Sequence, residues 1–206
     1  MVLFQLANAA LLPVAINSLA QKHEAAGYVV SATVIVPQLI TAIIAPWAGR
    51  LAQSIGRRPV LLAGFAAVPL RALLFATLPG ALPLVIYQAL DGIGAAVLGL
   101  MLPLIAADLT RRTGYLNFAI GAIGLAVGLG GTVSTVVAGW VGERFGDTAT
   151  FLLLAGAGGL AVLLLALLMP ETRARSGRQA DAPDRHGVRK VKLPKRDRVR
   201  RNRRKA

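Results

Sequence analysis

Long apolar stretches alternate with short polar segments along residues 1–169. A helix needs about 20 consecutive apolar residues to cross the hydrocarbon core of a bilayer. Six stretches reach or approach that length, at about residues 2–19, 28–48, 59–79, 83–107, 116–140 and 149–169. The pattern predicts an all-α polytopic membrane protein, with six transmembrane helices forming one bundle in residues 1–170.

The first apolar stretch is the weakest of the six. It contains Gln5, Asn8 and Asn17, and no polar flank stands before it. A cleavable signal peptide does not explain it, because residues 1–10 lack the basic segment with which such peptides begin. We therefore expect a membrane span that the sequence enters part-way through.

Basic residues in the loops predict the orientation of these spans. The loop at residues 49–58 carries three arginines and the loop at residues 108–115 carries two, whereas the other three loops have a net charge of zero or −1. Basic loops mark the cytoplasmic side of a membrane. The pattern predicts an integral protein of the cell membrane with both ends inside.

Composition separates the membrane domain from the end of the chain. Hydrophobic residues make up 55% of the sequence and charged residues 16%, against about 25% charged in an ordinary soluble domain. Residues 171–206 hold 15 of the 23 basic residues. We expect a disordered cytoplasmic tail that touches anionic lipid. Nucleic-acid binding is less favoured, because the tail has no aromatic residue to stack on bases, and translation from a shifted frame is a further alternative.

The sequence contains few residues of the types that catalyse reactions or bind metals. There is no cysteine, and His23 and His186, the two histidines, both lie outside the predicted spans. The sequence shows no cluster of metal ligands and no nucleophile–base pair. We therefore expect neither an enzyme nor a cofactor.

The loop after the second span carries a recognisable motif. Residues 49–62 have the sequence GRLAQSIGRRPVLL. This resembles the signature loop of the major facilitator superfamily, G-x-L-A-D-x-x-G-R-R/K-x-x-L, with Gln53 at the acidic position. Residues 91–103, 117–146 and 169–173 are similar to the tenth and eleventh spans of that family and to the exit of its last span.

The resemblance covers about residues 1–173 and implies the C-terminal half of a secondary transporter. Members of the family have twelve spans, in two six-helix bundles related by an axis along the membrane normal. The implied partner is a second bundle, either a separate N-terminal half or another copy of this chain. The two bundles would move a small solute by alternating access, and the sequence specifies neither the substrate nor a coupling ion.

Two ionisable residues lie inside predicted spans. Arg71 and Asp91 are each ten residues from Ala81, at the turn between the third and fourth spans, so they come to a similar depth at about 1.5 Å per residue. A charge within a span costs about 2.5–3.5 kcal/mol and usually faces a partner or a wet cavity. We expect an ion pair here. It acts either as a structural clamp or as a site at which Asp91 takes up a proton or a cationic group and releases Arg71.

Other polar residues fall near the same level, on the first and fourth spans. The family resemblance implies that these two spans line the central path. The predicted substrate or proton pathway consists of Asp91, Arg71, Gln88, Tyr87, Asn8 and Gln5. For each residue, a hydrogen bond between helices is an equal alternative.

The signature loop and the glycines suggest two further roles. The loop either grips helix ends as a cytoplasmic gate or anchors the topology, through Gly49, Arg50, Gly56, Arg57 and Arg58. Glycines at helical spacing share one face of a span and allow close helix packing. The predicted packing residues are Gly121, Gly124, Gly128 and Gly131 in the fifth span, with Gly92 and Gly99 in the fourth.

Three functions remain open at this stage. The chain is half of a transporter, or a truncated remnant that inserts but transports nothing, or a membrane interaction protein whose basic tail recruits a partner. Deleting the tail distinguishes the first function from the third.

Overall fold

A computed structural model describes residues 1–21, 27–111 and 113–169 of the chain. Within these ranges the secondary structure is helical, with no strand, and the prediction of an all-α polytopic protein is confirmed. The predicted tail at residues 171–206 lies outside the described residues. The helices are α1 (Val2–Asn8), α2 (Leu11–Gln21), α3 (Gly27–Ser54), α4 (Arg57–Thr77), α5 (Ala81–Thr110) and α6 (Leu116–Leu168).

The described ranges contain five apolar helical stretches long enough to cross a membrane, where the sequence predicted six. Helices α1 and α2 together form the first stretch, and the predicted fifth and sixth spans both fall within α6. The 53 residues of α6 would extend about 80 Å at 1.5 Å per residue, far more than the ~30 Å of a hydrocarbon core. Gly146 breaks this helix.

The break explains why the count differs from the prediction. Gly146 has φ 82° and ψ 170°, a backbone conformation that only glycine adopts without strain. The neighbouring residues 141–145 and 147–148, predicted as a loop, are helical. The predicted fifth and sixth spans are therefore separated by one non-helical residue instead of an eight-residue loop. They count as a single helical stretch for this reason.

The core of the bundle lies between α1, α4, α5 and α6. Aromatic rings join these helices: the centroids of Phe4 and Phe65 are 4.5 Å apart, and Phe75 lies 5.7 Å from Tyr87 and 5.5 Å from Phe151. Large apolar side chains also cover the outer surface of the helices. Such a surface is normal for helices that face lipid, because lipid does not drive apolar side chains inward.

Two helix pairs approach each other at the backbone. A Cβ atom at Gly92 of α5 would lie 2.6 Å from the Pro37 carbonyl oxygen of α3. A Cβ atom at Gly130 of α6 would lie 2.6 Å from the Val2 carbonyl oxygen of α1. Only glycine fits at these crossings, which fix α3 against α5 and α1 against α6.

Candidate functional site

Arg71 and Asp91 lie side by side on α4 and α5. The two helices are joined by the short turn at residues 78–80, and the guanidinium Nη1 of Arg71 lies 2.6 Å from Oδ1 of Asp91. The equal distances of the two residues from the turn therefore place them at one level, on helix faces that meet. Their role in a transport pathway stays a prediction.

The ion pair belongs to a hydrogen-bonded cluster that joins four helices. Arg71 donates to Oε1 of Gln88 at 2.9 Å and to Oδ1 of Asn8 at 2.7 Å. Gln88 in turn donates from Nε2 to the carbonyl oxygen of Thr33 at 3.0 Å. We call this cluster, formed by Asn8, Thr33, Arg71, Gln88 and Asp91, the Arg71 network. It ties α1, α3, α4 and α5 together inside the bundle.

The two charges of the network differ in exposure. The Arg71 side chain is 2% exposed, whereas that of Asp91 is 30% exposed. The Arg71 guanidinium carbon also lies 5.9 Å from the centroid of the Phe75 ring, which adds a cation–π contact. Its positive charge is therefore enclosed by partners, and the network presents the carboxylate of Asp91 to its surroundings.

Each of the two charged side chains has an atom that takes no part in the ion pair. Among the described residues, Nε of Arg71 makes no hydrogen bond, and Oδ1 is the atom of Asp91 that meets Arg71. A buried ion pair is stable only when its remaining hydrogen-bonding groups are also satisfied. The two charges therefore balance each other, while Nε of Arg71 remains unsatisfied among the described residues.

The other two predicted pathway residues are not bonded to the network. Tyr87 is half-buried and packs against Phe75. Gln5 is half-buried beside α6, and a Cβ atom added at Gly130 would lie 3.0 Å from the Cβ of Gln5. The structure thus brings together Asn8, Arg71, Gln88 and Asp91 and leaves Tyr87 and Gln5 in neighbouring helix contacts.

The signature loop connects α4 to the ends of two other helices. Arg57 forms an ion pair with Asp108, near the end of α5, and Arg58 donates to the carbonyl oxygen of Ala166, near the end of α6. The C-terminal end of a helix carries partial negative charge, which cations stabilise. In contrast, Arg50 is exposed and lies over Trp47, with 5.7 Å from its guanidinium carbon to the ring centroid.

The glycines predicted to pack helices occupy different environments. The crossing at Gly92 is described above, and Gly131 would place a Cβ 3.7 Å from the Cβ of Ala9. The remaining four would meet no atom within 4 Å of an added Cβ: Gly99, Gly121, Gly124 and Gly128. These four face away from this bundle, so any packing role requires a neighbour outside the described residues.

Sequence reasoning missed several residues that shape the site. The carbonyl of Thr33 could have been sought as a partner for the Gln88 amide. The carboxylate of Asp108 could likewise have been sought as a partner for Arg57. Ser134 carried no signal, because a lone serine in an apolar span is ordinary. It contacts the backbone of Leu6 in α1 and of Ala10, which lies between α1 and α2.

A separate cavity lies beside the start of α1. Its volume is about 590 Å³, and apolar side chains from α1, α4, α5 and α6 line it, among them Phe4, Phe65, Leu102 and Leu165. None of the lining side chains is charged. The cavity therefore adds no polar group to the Arg71 network.

Comparison with known proteins agrees with the architecture. Residues 1–204 match the family model described as Major Facilitator Superfamily. The chain is 37% identical over 172 residues to an MFS-type transporter of Mycobacterium tuberculosis, covering 83% of this chain and 41% of that protein. It is also 28% identical over 145 residues to a multidrug resistance protein B homolog of the same organism, covering 69% of this chain and 26% of the relative. The chain thus spans less than half the length of these relatives. On this match, the chain belongs to the major facilitator superfamily, a family of membrane transporters.

Proposed function

We propose that residues 1–169 form one bundle of a secondary transporter that moves a small solute by alternating access. The observation that carries this proposal is the Arg71 network, in which an enclosed guanidinium holds a partly exposed carboxylate within membrane-spanning helices. Charged residues at such positions usually mark substrate or ion pathways. The pathway proposed for this bundle runs past Asp91.

A second six-helix bundle completes the transporter in this proposal. The chain covers 41% of the MFS-type relative, and a stripe of glycines on α6 has open space in front of it: Gly121, Gly124 and Gly128. Small residues let helix backbones approach closely in lipid. The partner is a separate N-terminal half or a second copy of this chain, and the open stripe supports such a neighbour.

Asp91 is the residue at which we place coupling. When Asp91 binds a proton or a cationic group of the substrate, its attraction for Arg71 weakens. The equilibrium between conformations of the bundle then shifts. The alternative is a clamp, in which each charge only makes the other tolerable in the membrane. The 30% exposure of Asp91 favours the coupling role, because a pure clamp gains nothing from an accessible carboxylate.

The orientation follows the loop charges. Arg50, Arg57 and Arg58 are placed at the cytoplasmic surface of the cell membrane, with both ends of the chain inside. The basic tail at residues 171–206 would then lie against anionic lipid of the inner leaflet.

A transport assay tests the proposal. Cells would express the chain alone, or together with the N-terminal half of the MFS-type relative from Mycobacterium tuberculosis. Because the other relative is named for multidrug resistance, the probe is ethidium, a lipophilic cation, and its accumulation is measured with and without an uncoupler. We expect lower accumulation that depends on the proton gradient and is lost in Asp91→Asn, compared at equal amounts of folded, inserted protein. Glu143→Gln, an exposed acid on α6, is the matched control.

The same assay separates the alternatives. If ethidium and a panel of other solutes are unaffected although the protein is inserted, the chain is a remnant without transport activity. If deletion of residues 171–206 leaves flux unchanged, the tail is not part of the transport path. A recruiting protein would instead lose a bound partner on the same deletion.

A further inference from the structure

The first membrane stretch is interrupted at Ala9 and Ala10, between α1 and α2. In an uninterrupted helix the backbone N–H of Ala10 would donate to the carbonyl oxygen of Leu6. Here a side chain from another helix occupies that place. The hydroxyl of Ser134 donates to the Leu6 carbonyl at 2.6 Å and accepts from the Ala10 N–H at 3.2 Å. One inserted hydroxyl thus replaces one backbone hydrogen bond with two.

The contact between Ser134 and the interruption is enclosed. Ser134 is 0% exposed, and Gly130 lies four residues earlier on the same face of α6. The backbone contact of Gly130 with Val2 brings α1 close enough for a side chain as short as serine to enter its hydrogen-bond ladder. The insertion is therefore built by two residues one helical turn apart.

Pro13 is a second cause of the interruption. A proline within a helix has no N–H to donate to the residue four positions earlier and clashes with its carbonyl. Pro13 therefore leaves the carbonyl of Ala9 without its usual donor. The Ala9 carbonyl and the Ala10 N–H belong to one planar peptide group, so the clash at Pro13 also helps to draw the Ala10 N–H away from the Leu6 carbonyl. The Ser134 hydroxyl fills the resulting gap and bonds both groups.

Asn8 lies between the two backbone groups that Ser134 holds apart. Its Oδ1 accepts from Arg71 at 2.7 Å, so the path of the chain at residues 6–10 decides whether this bond forms. We infer that Ser134 is a positioning residue of the Arg71 network: its inserted hydroxyl fixes the helix interruption that aims Asn8 at Arg71. The consequence for transport rests on the proposed function, whereas the structural part does not.

Cross-linking tests the structural part in the full chain. The protein has no cysteine, and a Cβ at Gly131 would lie 3.7 Å from the Cβ of Ala9, a separation suited to a disulfide. The double variant Ala9→Cys, Gly131→Cys should therefore form a disulfide in membranes on mild oxidation. Adding Ser134→Ala should slow its formation about threefold to tenfold, the effect of one lost hydrogen bond on a conformational equilibrium.

Three further variants sharpen the result. Ser134→Thr keeps a hydroxyl and should retain rapid cross-linking. Thr132→Ala removes an exposed hydroxyl that bonds only within its own helix, and it should change nothing. Pro13→Ala should leave cross-linking largely intact, because Ser134 still parts Leu6 from Ala10.

Either of two outcomes would overturn the inference. One is unchanged cross-linking in Ser134→Ala, and the other is its collapse in Pro13→Ala, which would show that proline alone sets the interruption. The second decides the question even where Ser134→Ala fails to insert. None of these experiments requires transport, so their failure is distinct from failure of the proposed function. In an active transporter, Ser134→Ala and Asn8→Ala should lower flux by similar factors, and the double variant should lower it no further.

Discussion

Arg71 and Asp91 form a pair of unequal burial, with 2.6 Å between Nη1 and Oδ1 but 2% exposure for the arginine and 30% for the aspartate. Removing one member of such a pair has a different effect from removing the other. Without Asp91 an enclosed guanidinium keeps its charge and loses its counter-ion. Without Arg71 the remaining carboxylate is still 30% exposed.

The first prediction follows from this inequality. Asp91→Asn should destabilise the bundle by about 3–5 kcal/mol, the cost of stranding a buried charge, and Arg71→Gln should cost less. The double variant should be more stable than Asp91→Asn alone, because it strands no charge. Thermal unfolding in detergent measures the stability of the three variants. Equal losses of stability in the two single variants would show that the unequal burial of the two residues does not determine the cost of removing either one.

The second prediction concerns the crossing of α3 and α5. Gly92→Ala would place a methyl group 2.6 Å from the Pro37 carbonyl oxygen, and overpacking of this kind costs about 1–3 kcal/mol. Gly99→Ala lies on the same helix with open space in front of it, and it should be neutral or stabilising by up to about 1 kcal/mol through helix propensity. The comparison is made by the same unfolding assay. A loss of equal size in both variants would contradict the close crossing.

The sequence predicts part of this site because helix geometry converts distance along the chain into depth. Arg71 and Asp91 are equally far from a tight turn, which is enough to bring them to one level. The same arithmetic says nothing about Asn8, whose position depends on an interruption caused partly by Ser134, more than 120 residues later. A contact of that kind leaves no periodic trace in the sequence.

The predicted number of membrane-spanning stretches, six, was wrong for a related reason. The residues before and after Gly146 are polar enough to look like a loop, yet they continue the helices on either side of it. A positive φ at one glycine kinks the backbone, while the residues on either side of it remain helical. Polarity predicts where a chain leaves the apolar region, but it does not predict how many residues the chain needs to turn.

The third prediction tests the signature loop. Arg57 and Arg58 bind near the ends of α5 and α6, and the ion pair of Arg57 with Asp108 is partly exposed, so it should contribute only about 0.2–1 kcal/mol to stability. Replacing both arginines with glutamine should therefore leave the fold intact. A gate would then show an altered transport rate in a correctly inserted protein, whereas a topology anchor would show inverted insertion. Measuring flux together with the accessibility of a cysteine placed in the loop separates the two, with Arg144→Gln, an exposed arginine on α6, as the control.

The fourth prediction concerns the open glycine stripe of α6. Gly128→Leu adds a large side chain where no atom of the bundle lies within 4 Å, so in the isolated chain it should be neutral or stabilising by up to about 1 kcal/mol through helix propensity. If the stripe receives a second bundle, the same substitution should sharply reduce co-purification of the tagged chain with an N-terminal half or with a second copy. Gly159→Leu is the matched control, because Gly159 is equally open and exposed on the part of α6 beyond Gly146. Equal co-purification of both variants would remove the stripe as the contact surface, and a loss confined to one of the two partner pairings would identify which bundle binds there.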